Sequence, residues 1–139
     1  MTSGAPIKDT AAMIAGMAPM RDPETWFFCT TNDKVLAAKA VPHALTVFAE
    51  EEGQSLILPE VAARDLGFEL EMPMTRITLS VHSALDGVGL TAAVATALAG
   101  AHIPCNMVAA YHHDHAFVPS ELADQAMDVL LELAQAGAS

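Results

Sequence analysis

Residues 110–119, AYHHDHAFVP, place three histidines and an aspartate at four consecutive positions. Imidazole nitrogens and carboxylate oxygens bind zinc, but a zinc site needs three or four ligands that converge. Neighbouring side chains of a strand point to opposite faces, so at most two of these four converge. We therefore expect a hairpin turn that lines a ligand site, without a metal. A metal-binding protein or small enzyme remains the alternative, and it would use His82, His113, Asp114 and His115.

Nucleophilic catalysis would need a nucleophile, a base and a group that orients the base. The histidines are candidate bases, and Ser80, Ser83, Cys29 and Cys105 are candidate nucleophiles. No nucleophile-elbow or Cys-Gly motif accompanies them. We therefore expect a protein that binds a ligand and is not an enzyme.

The segment HSALDGVGL, residues 82–90, is the better candidate site, because it leaves a strand and enters a helix. The N–H groups of residues 88–90 should lack intrahelical partners, and with the helix dipole they can hold a carboxylate. Gly87 and Gly89 would let a ligand approach the backbone closely. Asp86 could bind an α-ammonium group, although capping the helix is an equally good role for it.

Two further residues complete the predicted cleft. Asn106 is the polar residue of an apolar strand, 103–109, and its amide can donate to a carboxylate and accept from an amine. In AEEEG (49–53) a solvated turn is the ordinary interpretation, yet a glutamate there could bind a ligand amine. We predict that the cleft lies between the loop of residues 82–90, the strand at 103–109 and residues of the N-terminal half. The predicted ligand-binding residues are His82, Ser83, Asp86, Gly87, Val88, Gly89, Leu90, Asn106, His113, Asp114 and Glu52.

Acidic residues dominate the charge, since 17 Asp+Glu against 6 Lys+Arg give a formal net charge of -11. This field repels phosphate backbones and anionic lipids, so neither nucleic acid nor membrane is an expected partner. Arg76 is the last Lys or Arg, so an anion held by the following residues must be met by backbone N–H groups. Residues 87–113 carry no Asp, Glu, Lys or Arg, but Gly100 and Pro104 interrupt what would otherwise suggest a membrane span.

The two cysteines point to a reducing compartment. Cys29 and Cys105 lie far apart without C-x-x-C spacing, which is typical of buried free thiols. The start, MTSGAPIKDTAAMIAGM, lacks a convincing secretion signal, because Asp9 interrupts the approach to a short apolar stretch. We therefore predict a cytoplasmic protein.

Periodicity and turn residues predict an α+β protein in two halves. The predicted elements of the first half are a helix at 9–17, a strand at 25–31, a hairpin of 43–50 and 54–60, a helix from Pro59 to Gly67 and a strand around 68–72. Those of the second half are strands at 74–82 and 103–111, a helix at 90–101, a turn with a short return strand, and a helix at 120–136. The second half lacks a strand after its last helix, so the first half is expected to supply one.

Residues 76–118 resemble the ACT domain, a small βαββαβ regulatory module that binds amino acids. The family's Asp-x-Pro-Gly loop and leucine-rich helix match DGVGL (86–90), with Val88 at the proline position, and its Gly-x-x-Ile matches GAHI (100–103). The whole chain is similar to a bacterial group of tandem ACT-like proteins, through FCTT, FAEEEGQSLILPE, SVHSALDGVGLTAAVA and CNMVAAYHHDHAFVP.

The resemblance implies two ferredoxin-like units packed together, with mostly antiparallel sheets and helices on one face. The units are predicted at residues 1–70 and 71–139. It also implies a non-catalytic regulatory module that senses an amino acid or similar metabolite, forms a homodimer and needs no cofactor. A structural interaction domain without a ligand is a further alternative.

Overall fold

The computed structural model describes residues 9–81 and 89–138. The helices in those ranges are α1 (Thr10–Gly16), α2 (Lys34–Ala40), α3 (Glu60–Asp65), α4 (Leu90–Gly100) and α5 (Ala123–Ala138). The strands are β1 (Ala18–Thr31), β2 (Thr46–Glu50), β3 (Gly53–Pro59), β4 (Met74–Ser80), β5 (Asn106–Ala109) and β6 (Asp114–Pro119). Short 3₁₀ helices follow α2 and precede α5, at Val41–His43 and Ser120–Leu122.

The chain divides into two compact units. The larger contains the described residues up to Asp22 and those from Arg76 onward, and the smaller contains Pro23–Thr75. The N-terminal helix α1 therefore belongs with the second half of the chain. The boundary that we predicted between residues 70 and 71 stays a prediction.

The strands of the larger unit lie in the order β1-β4-β6-β5. Only the first residues of β1, up to Asp22, belong to this unit. These residues supply the strand that the second half lacks. Helix α1 packs against α5 and α4. Met13 of α1 is 1% exposed and lies in the same core cluster as Ile77 and Leu79 of β4, Val94 of α4 and Leu130 of α5. The predicted period of two in β4 thus places one row of side chains in a helix-covered core.

The smaller unit has its strands in the order β2-β3-β1, and both pairings are antiparallel. Phe27 and Cys29 of β1 and Leu56 and Leu58 of β3 form its core with Ala63 of α3. In β1 and β3 the core residues occupy alternate positions, so one face of this sheet is covered by helices.

Three elements of the first half differ from the predictions. Helix α2 was not expected, although Asp33 caps it by accepting from the N–H groups of Val35 and Leu36. The strand predicted around 68–72 is wrong, because residues 68–73 have no regular secondary structure and β4 begins at Met74. Strand β1 begins at Ala18, well before the predicted 25–31.

The α+β class and the β-α-β-β-α order of the second half are confirmed. Within the part of the chain that the structure describes, no helix combines the length and the apolar composition needed to cross a membrane.

Candidate functional site

Six of the eleven predicted ligand-binding residues are described. Gly89, Leu90, Asn106, His113 and Asp114 belong to the larger unit, and Glu52 belongs to the smaller one. The other five lie outside the described residues, and they are His82, Ser83, Asp86, Gly87 and Val88.

Gly89 forms the N-terminal end of α4, as predicted. Its φ of 105° lies in the left-handed region, which glycine adopts without a steric penalty. Its carbonyl accepts a hydrogen bond from the N–H of Ala93 at 2.8 Å, and the Gly89 residue itself provides no side-chain cap. The N–H groups of Leu90, Thr91 and Ala92 precede the first intrahelical donor and point out of the helix end. This end of an 11-residue helix is therefore suited to an anion.

Thr10 of α1 lies against Gly89. A Cβ atom built on Gly89 would be 2.6 Å from Thr10 Oγ1 and 2.7 Å from Thr10 Cγ2. The glycine therefore has a packing role in addition to the ligand approach that we predicted for it. A larger residue at position 89 would disturb α1, so loss of binding in such a variant would not by itself identify a ligand site.

A polar row lies on the face of β4 opposite the core of the larger unit. Arg76 contacts Asp22 through two nitrogens, Nη2 at 2.9 Å and Nε at 3.0 Å from Asp22 Oδ2. Thr78 Oγ1 is 3.0 Å from His115 Nδ1. His113 Nδ1 is 3.4 Å from the carbonyl oxygen of Val81. The histidine turn thus rests on the end of β4 that leads into the predicted ligand loop.

Burial lowers the pKa of His115 below its ordinary value, and the positive charges of Arg76 and His113 act in the same direction, while Asp114 opposes them. The unfolded chain binds this proton near pH 6.5, so it holds more protons than the folded chain just below that pH. We therefore expect the free energy of unfolding to decrease as the pH falls from about 6.5 through the lower pKa of the folded state. Above about pH 6.5 the stabilisation from the neutral His115 is fully present. Melting temperatures measured across this range should show the decrease.

The variant His115→Asn should flatten that pH dependence, because the titrating imidazole is gone while a polar atom remains near Thr78. His112→Asn is the matched control, since His112 is exposed on the same turn. An unchanged slope in His115→Asn would contradict the assignment.

Asn106, the polar residue of the predicted apolar strand, is exposed. Its strand, β5, stands at the end of the strand order of the larger unit, where a polar side chain can reach water. Asn106 pairs with Phe117 in the register of β5 and β6.

Among the described residues, the histidine cluster does not form a metal site. Within residues 9–81 and 89–138, no group of three or more His, Cys, Asp or Glu side chains is placed to hold an ion. The described turn does bring His113 and His115 near β4, but their ring nitrogens contact Val81 and Thr78. His82, which the metal alternative requires, lies outside the described residues.

Both cysteines are free thiols. Burial raises the pKa of Cys29 to about 11 and also raises the pKa of Cys105. Because the thiolate is the nucleophile, both side chains are poorly suited to nucleophilic chemistry at neutral pH.

Glu52 is exposed in the turn between β2 and β3 and borders an open groove of about 600 Å³ in the smaller unit. The other side of the groove is the segment Thr31–Lys34 at the start of α2. The sequence analysis assigns no element to residues 32–42 and therefore missed this segment. The aspartate followed by KVLAAKA is a helix-start signal that could have found it.

Comparison with protein families gives two matches to ACT-domain models, at residues 5–75 and 72–132. A search of curated proteins gave no match.

Several solved structures resemble the chain. A protein of unknown function from Vibrio cholerae, VC0802, described as a possible transport protein, is 39% identical with a TM-score of 0.79, over 89% of this chain and 94% of that one. Atu0741 from Agrobacterium tumefaciens is 16% identical with a TM-score of 0.66, over 80% and 84%. The ligand-free regulatory subunit of aspartate kinase from Thermus thermophilus is 9% identical with a TM-score of 0.59, over 85% and 98%.

The two family matches together span the chain from residue 5 to residue 132, and the second includes both the N-terminal end of α4 and the histidine turn. The resemblance seen in the sequence is therefore confirmed. The chain belongs to the ACT-domain family of small-molecule-binding regulatory modules, with two such domains in tandem.

Proposed function

We propose that this protein is a non-catalytic sensor that binds an amino acid or a similar small carboxylate-bearing metabolite at the N-terminal end of α4. The observation that carries the proposal is the glycine N-cap. Gly89 leaves the first-turn N–H groups of α4 without a cap from its own side chain, in a domain family that binds small metabolites.

The charge distribution supports a carboxylate held by the backbone. No Lys or Arg follows Arg76, and Arg76 is engaged with Asp22. The N-terminal end of a helix carries the equivalent of roughly half a positive charge, and its N–H groups are directed at an approaching anion. These groups can hold a carboxylate where a cationic side chain is not at hand.

The corresponding helix of the smaller unit supports the choice of α4. There Asp33 accepts from the N–H of Val35 at 2.9 Å and from that of Leu36 at 3.3 Å. A carboxylate from the chain itself already occupies those donors. The N-terminal end of α2 therefore already binds a carboxylate, whereas no side chain among the described residues caps α4.

A charge placed in the first turn of α4 tests the proposal. Thr91 is exposed at the second helical position, so Thr91→Glu should preserve or slightly raise stability, by about 0.3–1 kcal/mol through the helix dipole. The new carboxylate should compete for the same N–H groups and repel a ligand carboxylate. We expect the affinity for the amino acid that most stabilises the wild type to fall about tenfold or more, an effect of roughly 1.4 kcal/mol.

The measurement is a thermal-shift screen of the standard amino acids, followed by calorimetric titration of the best one. Thr96→Glu is the matched control, since it introduces the same charge at an exposed position on the same helix. Equal binding by both variants would place the ligand elsewhere. A wild type stabilised by no amino acid would favour an interaction domain without such a ligand.

We also propose that the module is a cytoplasmic homodimer, whose output passes through its assembly state or through a partner protein. The two free thiols support a reducing compartment. The exposed apolar side chains of the smaller unit, which include Phe28, Phe48 and Val35, support self-association.

A further inference from the structure

We propose that helix α1 couples ligand binding to regulation, because it contacts the chain on both sides of the segment that joins β4 to α4. The inference rests on the proposed function and names how that site is regulated. A ligand at the N-terminal end of α4 stabilises the docked position of α1, and release of α1 weakens the binding of the ligand. Such linkage between two sites is reciprocal by thermodynamic necessity.

Helix α1 reaches from the end of β4 to the start of α4. At its first residue, the Thr10 side chain fills the space beside Gly89, where a Cβ atom would lie 2.6 Å from Thr10 Oγ1. At its last residue, a Cβ atom on Gly16 would lie 3.6 Å from Val81 Cγ2, an ordinary van der Waals contact. The rise of an α-helix, about 1.5 Å per residue, separates Thr10 from Gly16 by about 9 Å. One helix therefore fixes both residues, Val81 and Gly89.

Val81, which follows β4, is held by local and by tertiary contacts. Its N–H bonds to the carbonyl oxygen of Leu79 at 2.9 Å, a tight turn of the kind common at strand ends. Its side chain is buried in the core cluster that includes Met13 and Met17 of α1. Its carbonyl oxygen lies 3.4 Å from His113 Nδ1. Helix α1 and the histidine turn therefore position Val81 through different atoms.

The first turn of α4 depends on the same core cluster. Leu90 is the first residue of α4, and it is buried in the cluster that contains Met13 and Met17. The N–H groups that we propose as carboxylate donors begin at Leu90. Because α1 packs against α4, displacement of α1 would uncover this turn and change the positions of its donors.

Helix α1 depends on docking for its own structure. It has seven residues, and isolated helices of that length are not stable in water. Asp9 caps it by accepting from the N–H of Ala12 at 2.9 Å, and the burial of Met13 and Met17 holds it against the larger unit. Helix α1 therefore has two states, a docked helix and an undocked chain. A ligand that needs the first turn of α4 in place favours the docked state.

The contact between α1 and α5 provides a variant outside the proposed ligand contacts. A Cβ atom on Gly137 would lie 2.7 Å from Ile14 Cγ2 and 3.2 Å from the backbone nitrogen of Ala15. Gly137→Val should therefore displace α1, although valine favours a helix more than glycine does. Ala136→Val is the matched control, since Ala136 is exposed on the same helix. Adding Ile14→Ala to Gly137→Val makes room for the valine and should restore docking.

Amide hydrogen exchange of the ligand-free protein tests whether α1 positions α4. The N–H of Met13 bonds within α1, and the N–H of Ala93 bonds to the carbonyl of Gly89 at 2.8 Å, so they report on the two elements separately. In Gly137→Val we expect both to exchange about tenfold faster or more, and in Ala136→Val at wild-type rates. The double variant should recover most of the protection. Wild-type exchange at Ala93 in Gly137→Val would overturn the inference.

An equimolar mixture of the standard L-amino acids is the probe for linkage. It should raise the melting temperature of the wild type and slow exchange at the Met13 N–H. Gly137→Val should need about tenfold more of the mixture for the same shift, and Ala136→Val the same amount as the wild type. A wild type stabilised without protection of Met13, or an unchanged response in Gly137→Val, would overturn the linkage and leave the proposed function standing. A wild type that is neither stabilised nor protected would overturn both.

Discussion

Replacing Gly53 with alanine should lower the melting temperature of this protein by about 10 °C. Gly53 has a φ of 147°, and a Cβ atom there would lie 2.5 Å from the carbonyl oxygen of Thr31 and 2.9 Å from its carbon. The obstacle is backbone, which cannot rotate away as a flexible side chain can. Unfavourable dihedrals cost about 1–3 kcal/mol, and overpacking adds a similar amount. Each kcal/mol corresponds to roughly 3–4 °C for a domain of this size.

Two other glycines separate the causes of this loss. Gly67 has a φ of 82° but nothing within 4 Å of its Cβ position, so Gly67→Ala should cost only the dihedral term, about 1–2 kcal/mol. Gly100 ends α4 with open space around it, so Gly100→Ala should be neutral or stabilise by up to about 1 kcal/mol. Differential scanning calorimetry of the three variants measures the order. A Gly53→Ala protein as stable as Gly67→Ala would show that β3 does not approach Thr31 so closely.

Replacing Met13 with alanine should destabilise the protein by about 2–5 kcal/mol, the range found when a large buried side chain is truncated. Met13 is 1% exposed in the core cluster of the larger unit, where α1 packs against α4 and α5. Packing is close on the α5 side, since a Cβ on Gly137 would lie 2.7 Å from Ile14 Cγ2. The surroundings therefore have little freedom to fill the cavity that the substitution leaves.

Met20→Ala is the matched control for this prediction. Met20 is 59% exposed on β1, so the same chemical change should alter stability by no more than about 0.5 kcal/mol. Chemical denaturation of both variants measures the difference. Equal stabilities would mean that α1 does not contribute to the core of the larger unit and that the second half of the chain folds without it.

The second half of the chain was predicted more accurately than the first, for local reasons. Arg76 to Ser80 alternate strictly between apolar and polar, and Gly89 and Gly100 bound a helix of apolar and small residues. The first half contains the errors. The helix at KVLAAKA was not predicted, and a strand was predicted around 68–72, where polar and apolar residues alternate over ELEM. Alternation over four residues is too short to decide between a strand and an irregular segment.

Individual site residues were predicted unevenly. Gly89 was correctly placed at the start of α4, because a glycine between a strand and a helix is a local signal. The exposure of Asn106 was not foreseen, because it depends on β5 standing at the end of the strand order. The contacts of His113 with Val81 and of His115 with Thr78 join residues 32 and 37 positions apart, and no sequence spacing encodes them.

The sequence by itself determined the family, the α+β class, the acidic charge and the lack of Lys and Arg beyond Arg76, because composition, motifs and short periodicities are properties of neighbouring residues. Only the tertiary structure decided that α1 packs with the second half and that Thr10 lies against Gly89, 79 positions later. Likewise, only the strand order left β2 exposed at an edge. These features arise when apolar faces distant in sequence are buried together. That choice depends on the shape and volume of the assembled core and leaves no local pattern in the chain.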